Sequence, residues 1–200
     1  MLALVNLTLL VDFSSRVGTA RNQASRCGSC YAHSVAGLCE FQNWRETGSV
    51  VDYSTDYLVD CFPHLHKCGE RPDVELEFLK RRGCVQTFTS CKNGLRGLRV
   101  RSIELYDDLH GLSVEEVERK INLSKPWIVG IASRELKKYT GGVARPRGPV
   151  DHAVLLVGEG IYNGEEVWIC RNSWGPEWGY DGFFMMEKKK SIHYACTAGF

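Results

Sequence analysis

Residues 27–34 are Cys27-Gly28-Ser29-Cys30-Tyr31-Ala32-His33-Ser34, and the rest of the chain is organised around them. After Cys30 the chain runs to residue 45 without proline, and its apolar side chains recur every three to four positions. This spacing predicts a helix with one buried face. Gly48 is placed to end that helix. We therefore expect Cys30 at the N-terminus of a helix.

The environment expected for Cys30 favours a reactive thiol. Gly28 and Ser29 allow a tight turn and a cap for the first turn of the helix. Unpaired backbone N–H groups and the positive end of the helix dipole stabilise a thiolate, lowering the pKa of such a thiol by about one unit or more. A Cys-x-x-Cys pair at a helix start also occurs in thioredoxin-like redox sites and, with a second pair, in zinc sites. The local sequence leaves a nucleophile, a redox couple and a structural or metal-bound cysteine open.

The composition is that of an ordinary soluble globular protein. The 200 residues are 44 % hydrophobic and 24 % charged, with a net charge of +1, which points to no particular partner. The basic runs at residues 80–82 and 188–190 are short and far apart, so we interpret them as solvated faces and expect no nucleic-acid partner. No apolar run is long enough to cross a membrane. Residues 1–10 lack the features of a signal peptide, and we expect an N-terminal strand there.

The nine cysteines are many for a cytosolic protein and predict disulfides. Because the number is odd, at least one thiol is left over unless it pairs with another chain, and Cys30 is the candidate. Cys61, His64, His66 and Cys68 lie within eight residues and offer the ligand types of a zinc site.

The order of elements predicts a helical half followed by a β half. Helices are expected from Ser54 as N-cap to residue 61, over residues 73–82 after Pro72, and from the capping box at Ser113 to residue 121. Short apolar runs between turns predict the strands of a bent antiparallel sheet or barrel, at residues 98–106, 127–131, 153–157, 167–170 and 183–186. The boundary between the halves is expected near residues 92–105.

Two later stretches could supply a base for Cys30. His152 stands at the head of an apolar strand, in Pro149-Val150-Asp151-His152-Ala153-Val154. Asn172 follows another strand, and Trp174 comes two residues later, where it could keep water from a hydrogen bond between His152 and Asn172. A nucleophilic thiol needs a base, and the base needs a third group that orients it. Each residue alone is weak evidence, but a cysteine, a histidine and an asparagine in this order favour nucleophilic catalysis.

Residues 23–34, 150–158 and 168–179 resemble the three signature blocks of papain-like cysteine proteases, and the similarity extends over nearly the whole chain from about residue 11. The resemblance implies a mature-domain portion with an α+β, two-lobed fold: a single peptidase domain over residues 1–200, a helical lobe at about 11–97 and an antiparallel, β-barrel-like lobe at about 98–200. Residues 1–10 are expected to pack on the β lobe. The active site would lie in the cleft between the lobes.

The resemblance also implies roles for individual residues. Cys30 resembles the nucleophile, His152 the general acid and base, and Asn172 the residue that orients it, with Trp174 in support. Gln23 resembles the side-chain donor of the oxyanion hole, although one residue more than usual separates it from Cys27.

The disulfides that the resemblance implies are Cys27 with Cys68 and Cys61 with Cys91. These pairings compete with zinc at Cys61 and Cys68, so we expect no metal, and the family implies no cofactor. Cys39 lies in an apolar run, as does Cys170, and both are expected to be buried free thiols.

Several features depart from the family pattern. Gly69-Glu70-Arg71-Pro72 stands where the family has Asn-Gly-Gly, so Glu70 and Arg71 are candidate substrate-binding residues that would crowd or recharge that subsite. Cys196 lacks an evident partner, the C-terminal segment is expected to be short, and no pro-region is recognisable.

The sequence therefore predicts a cysteine-type peptidase, most simply an endopeptidase, that acts through a Cys30 thiolate and an acyl-enzyme. The alternative is a catalytically impaired homologue that acts as a binding or scaffold protein, and a thioredoxin-type oxidoreductase is a third reading that would couple Cys27 with Cys30. The implied partners are peptide or protein substrates and cystatin-like inhibitors, with no membrane association and a monomeric state. The implied location is lysosomal, vacuolar or extracellular.

Overall fold

Helices and strands alternate little along the chain. The computed structural model describes residues 6–23, 28–61, 71–86, 91 and 97–200. Its α-helices are α1 (Cys30–Thr47), α2 (Thr55–Cys61), α3 (Pro72–Arg82) and α4 (Val114–Lys120). Three short 3-10 turns span Ser14–Arg16, Leu109–Gly111 and Glu135–Lys138. The strands are β1 (Leu7–Asp12), β2 (Ser102–Tyr106), β3 (Trp127–Ile131), β4 (Val143–Ala144), β5 (His152–Tyr162), β6 (Glu165–Arg171), β7 (Phe183–Glu187) and β8 (Tyr194–Gly199).

Helix α1 begins at Cys30 and ends where the sequence predicts. Gly48 adopts φ 74° and donates its N–H to the Trp44 carbonyl, as a left-handed helix C-cap requires. Ser29 occupies the N-cap position but makes no side-chain cap hydrogen bond, so the predicted cap is wrong. The prediction of a single buried face is also wrong for the first half of the helix. All but His33 of the twelve residues from Cys30 to Phe41 are buried. The helix is covered by β5 on one side and by α2 and α3 on the other.

The other helix boundaries follow local signals. The Ser54 hydroxyl accepts the Tyr57 N–H at 3.1 Å and caps α2. Pro72 occupies the first turn of α3, and Gly83 follows its last residue. Helix α4 starts with the predicted capping box, in which Ser113 and Glu116 exchange hydrogen bonds.

The strands form one mixed sheet in the order β2-β8-β3-β5-β6-β7-β4. All of these pairs are antiparallel except β4 with β7, which is parallel. The sheet is open between β2 and β4 over the described residues, so the expected barrel-like closure is not formed there. Strand β2 starts at Ser102, later than predicted, and the sequence analysis missed β4 and β8.

Strand β5 organises the sheet because it pairs with three other strands, one of them β6 along residues 155–162. Its first half pairs with β3 and its second half with β1. Glycines let β1 approach closely, since a Cβ at Gly158 would lie 2.3 Å from the Val11 carbonyl oxygen. The N-terminal strand that we expected therefore exists as β1 and belongs to the sheet, whereas residues 1–5 lie outside the described part.

Both faces of β5 are buried, in two separate hydrophobic clusters. Ala153, Leu155 and Val157 face α1, while Val154 and Leu156 pack in the second cluster with residues of β3, β6 and β7. A strand buried on both faces reads as a continuous apolar run, which is how this stretch appears in the sequence.

The structure contains two disulfides among the described residues. One joins Cys61 to Cys91, the pair that the resemblance implies. The other joins Cys39 of α1 to Cys84, just beyond α3, so the expectation of a free Cys39 is wrong. Helix packing brings these two cysteines to a Cα separation of 6.8 Å, which no local pattern reveals.

Only some of the remaining cysteines and candidate zinc ligands lie in the described part of the chain. Cys170 and Cys196 are buried free thiols. The predicted Cys27 with Cys68 pair lies outside the described residues, as do His64 and His66. In the described part, no group of three metal-ligating side chains comes together. Nor does any helix there have the length and apolarity to cross a membrane.

Candidate active site

Antiparallel pairing of β5 and β6 brings His152 and Asn172 together. His152 begins β5 and Asn172 directly follows β6, and the two residues are 6 % and 3 % exposed. Nε2 of His152 lies 2.8 Å from Oδ1 of Asn172. That oxygen also accepts the Ser173 N–H at 2.8 Å, which identifies it as an acceptor. Nε2 must therefore carry the proton, and Nδ1 is the nitrogen that can act as a base.

Trp174 covers this hydrogen bond. Its ring lies against the His152 ring with centroids 5.0 Å apart and planes 27° apart, and Trp178 meets Trp174 edge-on at 5.2 Å. The aromatic cover excludes water from the imidazole face, so the hydrogen bond acts in a low-dielectric environment. Asn172 and Trp174 both follow β6, and the left-handed Gly175 (φ 89°) makes the turn that places them.

Cys30 lies across from this pair at the start of α1, with 7 % of its surface exposed. Its Sγ lies 3.7 Å from the Gly28 carbonyl oxygen. Burial raises the pKa of the Cys30 thiol, and the backbone amides of Ala153, Tyr31 and Cys30 itself offset this only in part. The sequence analysis predicted a lowered pKa, and this is a correction. Its physical reason is that loss of hydration at a buried thiol outweighs the helix N-terminus.

Burial also disfavours the charged form of the base, His152. Burial lowers the pKa of His152, against the hydrogen bond to Asn172 and the Asp151 carboxylate, both of which raise it. The Ala153 N–H interacts with the Cys30 thiol and lowers its pKa. The thiol therefore lies beside the backbone that follows His152. Burial therefore favours an uncharged thiol next to an uncharged imidazole, with one nitrogen able to take the proton.

A cleft of about 480 Å³ joins these groups. Its described lining is Gln23, Gly28, Cys30, Ser133, Lys137, Asp151, His152, Trp174 and Trp178. Gln23 is held by two contacts with Ser173: its N–H donates to the Ser173 carbonyl at 2.8 Å, and its Oε1 accepts the Ser173 hydroxyl at 2.5 Å. With the amide oxygen engaged, the NH₂ group of Gln23 is the part of the side chain that can donate into the cleft.

The candidate substrate-binding residues Glu70 and Arg71 are not part of this lining as far as it is described. Glu70 lies outside the described residues. Arg71 donates to Asp73 and to Asp107, each at 2.9 Å, and its guanidinium lies over the Tyr194 ring. These two carboxylates neutralise the positive charge of Arg71, which the sequence analysis expected to be available for binding substrate.

Sequence reasoning missed Ser133, Lys137 and Asp151. Oδ1 of Asp151 accepts the Ser133 N–H at 2.6 Å, which ties the residue before His152 to the end of β3. Asp151 could have been noticed as the neighbour of His152 in sequence. Lys137 gives no local signal, because its place in the cleft depends on how the 3-10 turn packs.

The sequence matches a known family and known proteins. A family model described as papain family cysteine protease matches residues 10–199. The cysteine proteinase COT44 of Brassica napus is 33 % identical over 177 residues, covering 81 % of this chain and 54 % of that protein. The germination-specific cysteine protease 1 of Arabidopsis thaliana is also 33 % identical, covering 81 % of this chain and 47 % of that protein. The chain thus spans about half the length of the curated relatives it matches.

Solved structures show the same fold. Digestive procathepsin L 3 from the larval midgut of Tenebrio molitor superposes with a TM-score of 0.78 at 21 % identity, covering 100 % of this chain and 72 % of that one. A structure from a study of the mite allergens Blo t 1 and Der p 1 superposes with a TM-score of 0.76 at 26 % identity, covering 99 % and 72 %. These superpositions confirm the α+β fold class, and the family model and the curated relatives confirm the resemblance drawn from the sequence.

Proposed function

Because the chain belongs to the papain family of cysteine proteases, we propose that it is a cysteine peptidase that hydrolyses peptide bonds through Cys30. The observation that carries this proposal is the buried 2.8 Å contact between His152 Nε2 and Asn172 Oδ1, in the cleft that Cys30 lines. An oriented imidazole beside a thiol is the arrangement that activates a cysteine nucleophile.

The residues divide the chemistry between them. Sγ of Cys30 attacks the carbonyl carbon of the substrate while Nδ1 of His152 takes the thiol proton, and the carbonyl oxygen becomes an oxyanion. The Cys30 N–H and the Gln23 NH₂ group donate to that oxygen. The oxyanion collapses to a thioester, the C–N bond breaks, and His152 returns the proton to the departing amine. Water, deprotonated by His152, then attacks the thioester and releases the acid and the thiol.

Burial of both groups shapes the first step. Since burial favours the uncharged thiol and the uncharged imidazole, proton transfer from Sγ to Nδ1 accompanies substrate binding or attack. Asn172 supports this transfer because its oxygen stabilises the positive imidazolium through Nε2. Trp174 keeps that hydrogen bond dry.

The wider setting follows from the same proposal. We infer a helical lobe at about 11–97 and a β lobe at about 98–200 in a single peptidase domain, with peptide or protein substrates between them. Cystatin-like inhibitors would bind the same cleft, and the protein would act as a monomer without cofactor. Two disulfides support an oxidising location such as a lysosome, a vacuole or the extracellular space.

The test is labelling with a peptide epoxide, read by mass spectrometry on native protein. We expect Cys30 to be modified and the buried thiols of Cys170 and Cys196, whose pKa burial raises, to stay unmodified. Cys30→Ala should abolish labelling, and denaturing the protein first should abolish the selectivity. Modification spread over all three thiols, or none, would favour the binding homologue.

A further inference from the structure

We propose that Lys137 gives this peptidase a preference for substrates that carry a carboxylate on the leaving-group side of the cleaved bond. The inference rests on the proposed function, because it assigns one end of the same cleft. The carboxylate would come from an acidic side chain or from the C-terminus of the peptide.

The chemistry identifies which part of the cleft receives the leaving group. His152 must reach the nitrogen of the broken bond to protonate it, so the departing amine lies on the imidazole side of Cys30. The described groups that surround His152 on that side are Asp151, Trp174 and Trp178, with Lys137 in the same lining. The substrate residues that follow the cleaved bond must therefore lie next to these four side chains.

Lys137 is held in place although its side chain is exposed. It belongs to the 3-10 turn Glu135–Lys138, whose Leu136 is fully buried. The N–H groups of Leu136 and Tyr139 donate to the Ser133 and Leu136 carbonyls, both at 3.0 Å. The turn thus fixes the Lys137 backbone at the cleft edge and leaves the flexible stem to follow a ligand.

The charge of Lys137 is not neutralised by an ion pair with any residue in the described part of the chain. Lys188, by comparison, is nearly buried and pairs with both Glu118 and Glu159. Asp151 shares the cleft with Lys137 but directs Oδ1 at the Ser133 N–H, and no contact within 4.0 Å joins the two charges. A substrate carboxylate is the group that would complete this site, and Asp151 would weaken the preference without cancelling it.

Arg71, the cation that the sequence suggested for substrate binding, is not free in the same way. Arg71 has two carboxylate partners, Asp73 and Asp107. An acidic substrate group near Arg71 would have to compete with them, whereas near Lys137 it would not. We therefore expect the charge selection on the leaving-group side, where Lys137 lies.

The experiment compares peptides with an identical acyl side and a C-terminal amide that differ by Glu, Gln or Lys in the first two leaving-side positions. A neutral peptide, prepared as free acid and as amide, separates a terminal carboxylate from an acidic side chain. We expect kcat/KM to favour the carboxylate over its neutral counterpart by roughly two- to fivefold, the effect of an exposed ion pair, and to lose this at high salt.

Variants assign the effect to one residue. Lys137→Gln should remove the preference and Lys137→Glu should reverse it, whereas Lys138→Gln, one position along the same turn, should keep it. Equal rates for the Glu and Gln peptides together with equal rates for the free acid and the amide, or loss of the preference in Lys138→Gln, would overturn the inference. Hydrolysis of an acyl-aminocoumarin substrate, whose leaving group has no carboxylate, separates the two proposals. If that substrate is cleaved and no charge preference is seen, the charge inference alone is wrong; if neither it nor any peptide is cleaved, both proposals fall.

Discussion

At the scale of single residues, burial decides the chemistry more than position along a helix does. Cys30 stands at a helix N-terminus as the sequence predicts, yet its pKa is raised because it is buried. Glu75 is the extreme case among the described residues. It is 0 % exposed on α3, neither carboxylate oxygen has a hydrogen-bond partner, and burial raises its pKa well above the ordinary value. A buried group without a partner stays neutral instead of paying for desolvation of its charge.

Gln23 should matter for rate more than for binding. We expect Gln23→Ala to lower kcat/KM by about 10²–10³-fold with little change in KM, because the oxyanion-hole donor that we propose Gln23 to be acts in the transition state. Ser173→Ala, which frees the Gln23 oxygen but leaves the donor, should cause a smaller loss. Steady-state kinetics on one peptide would show this, and a loss below about threefold in Gln23→Ala would remove Gln23 from the mechanism.

Glu75 should make the protein less stable as pH rises. The folded state keeps the Glu75 proton at pH values where the unfolded state has lost it, so the unfolding free energy falls from about pH 4.5 upward. Glu75→Leu removes this slope and should stabilise the protein by about 1–3 kcal/mol at pH 7, with a smaller gain at pH 4.

The measurement is urea unfolding at both pH values. The exposed Glu77 of the same helix is the matched control, and Glu77→Gln should change the free energy by less than about 0.5 kcal/mol. A Glu75→Leu variant with the stability of wild type at pH 7 would show that the carboxyl finds a partner in solution.

At the scale of elements, a buried ion network joins α1 to β6. Arg171, the residue before Asn172, donates from Nη1 to Oε2 of Glu40 at 2.7 Å and to the Gly18 carbonyl at 2.6 Å. Arg21 pairs with the other Glu40 oxygen. Burial by itself raises the pKa of Glu40, but the two guanidinium groups and the Gly18 N–H lower it overall. The network therefore fixes the strand end that carries Asn172 against the helix that carries Cys30.

The absence of a side chain at Gly37 leaves room for the Arg171 guanidinium. A Cβ at Gly37 would lie 2.3 Å from Arg171 Nη2 and 2.5 Å from Leu155 Cδ2. Helix propensity alone would make Gly37→Ala stabilising by about 1 kcal/mol. We expect the opposite, a loss of about 1–3 kcal/mol from overpacking, together with reduced activity.

Thermal unfolding and peptidase rate on the same preparation test this. Gly111→Ala is the control, because a Cβ there would meet nothing within 4 Å. A more stable Gly37→Ala protein would mean that the Arg171 side chain can move aside.

At the scale of the whole molecule, the disulfides and the two hydrophobic clusters hold distant segments together. The Cys39–Cys84 disulfide links residues 45 apart in sequence, and Cys61–Cys91 links residues 30 apart. The sheet forms from β1 at one end of the chain and from strands after residue 102, with the helices α1–α3 between them in sequence. Strand β5 therefore pairs with segments far apart in sequence and also packs against α1.

Removing the Cys39–Cys84 link should cost about 3–4 kcal/mol, the effect of opening a loop of this length in the unfolded chain. The double variant Cys39→Ala and Cys84→Ala provides the test by urea unfolding, and peptide mapping without reductant should find this pair linked in wild type. Free thiols at both positions by mass spectrometry would contradict the pairing.

Sequence by itself determined the features that depend on the local backbone. Gly48, Ser54, Pro72 and Ser113 mark helix ends because caps and fixed φ angles act within one turn. Alternation and apolar runs located most strands, and the motifs around Cys30, His152 and Asn172 identified the family.

Tertiary structure alone decided what depends on residues far apart in sequence. The raised pKa of Cys30, the partner of Cys39, the path of Arg171 past Gly37 and the place of Lys137 in the cleft all follow from packing between elements. Desolvation and side-chain contacts act through space, and the distances that set them are absent from any local pattern.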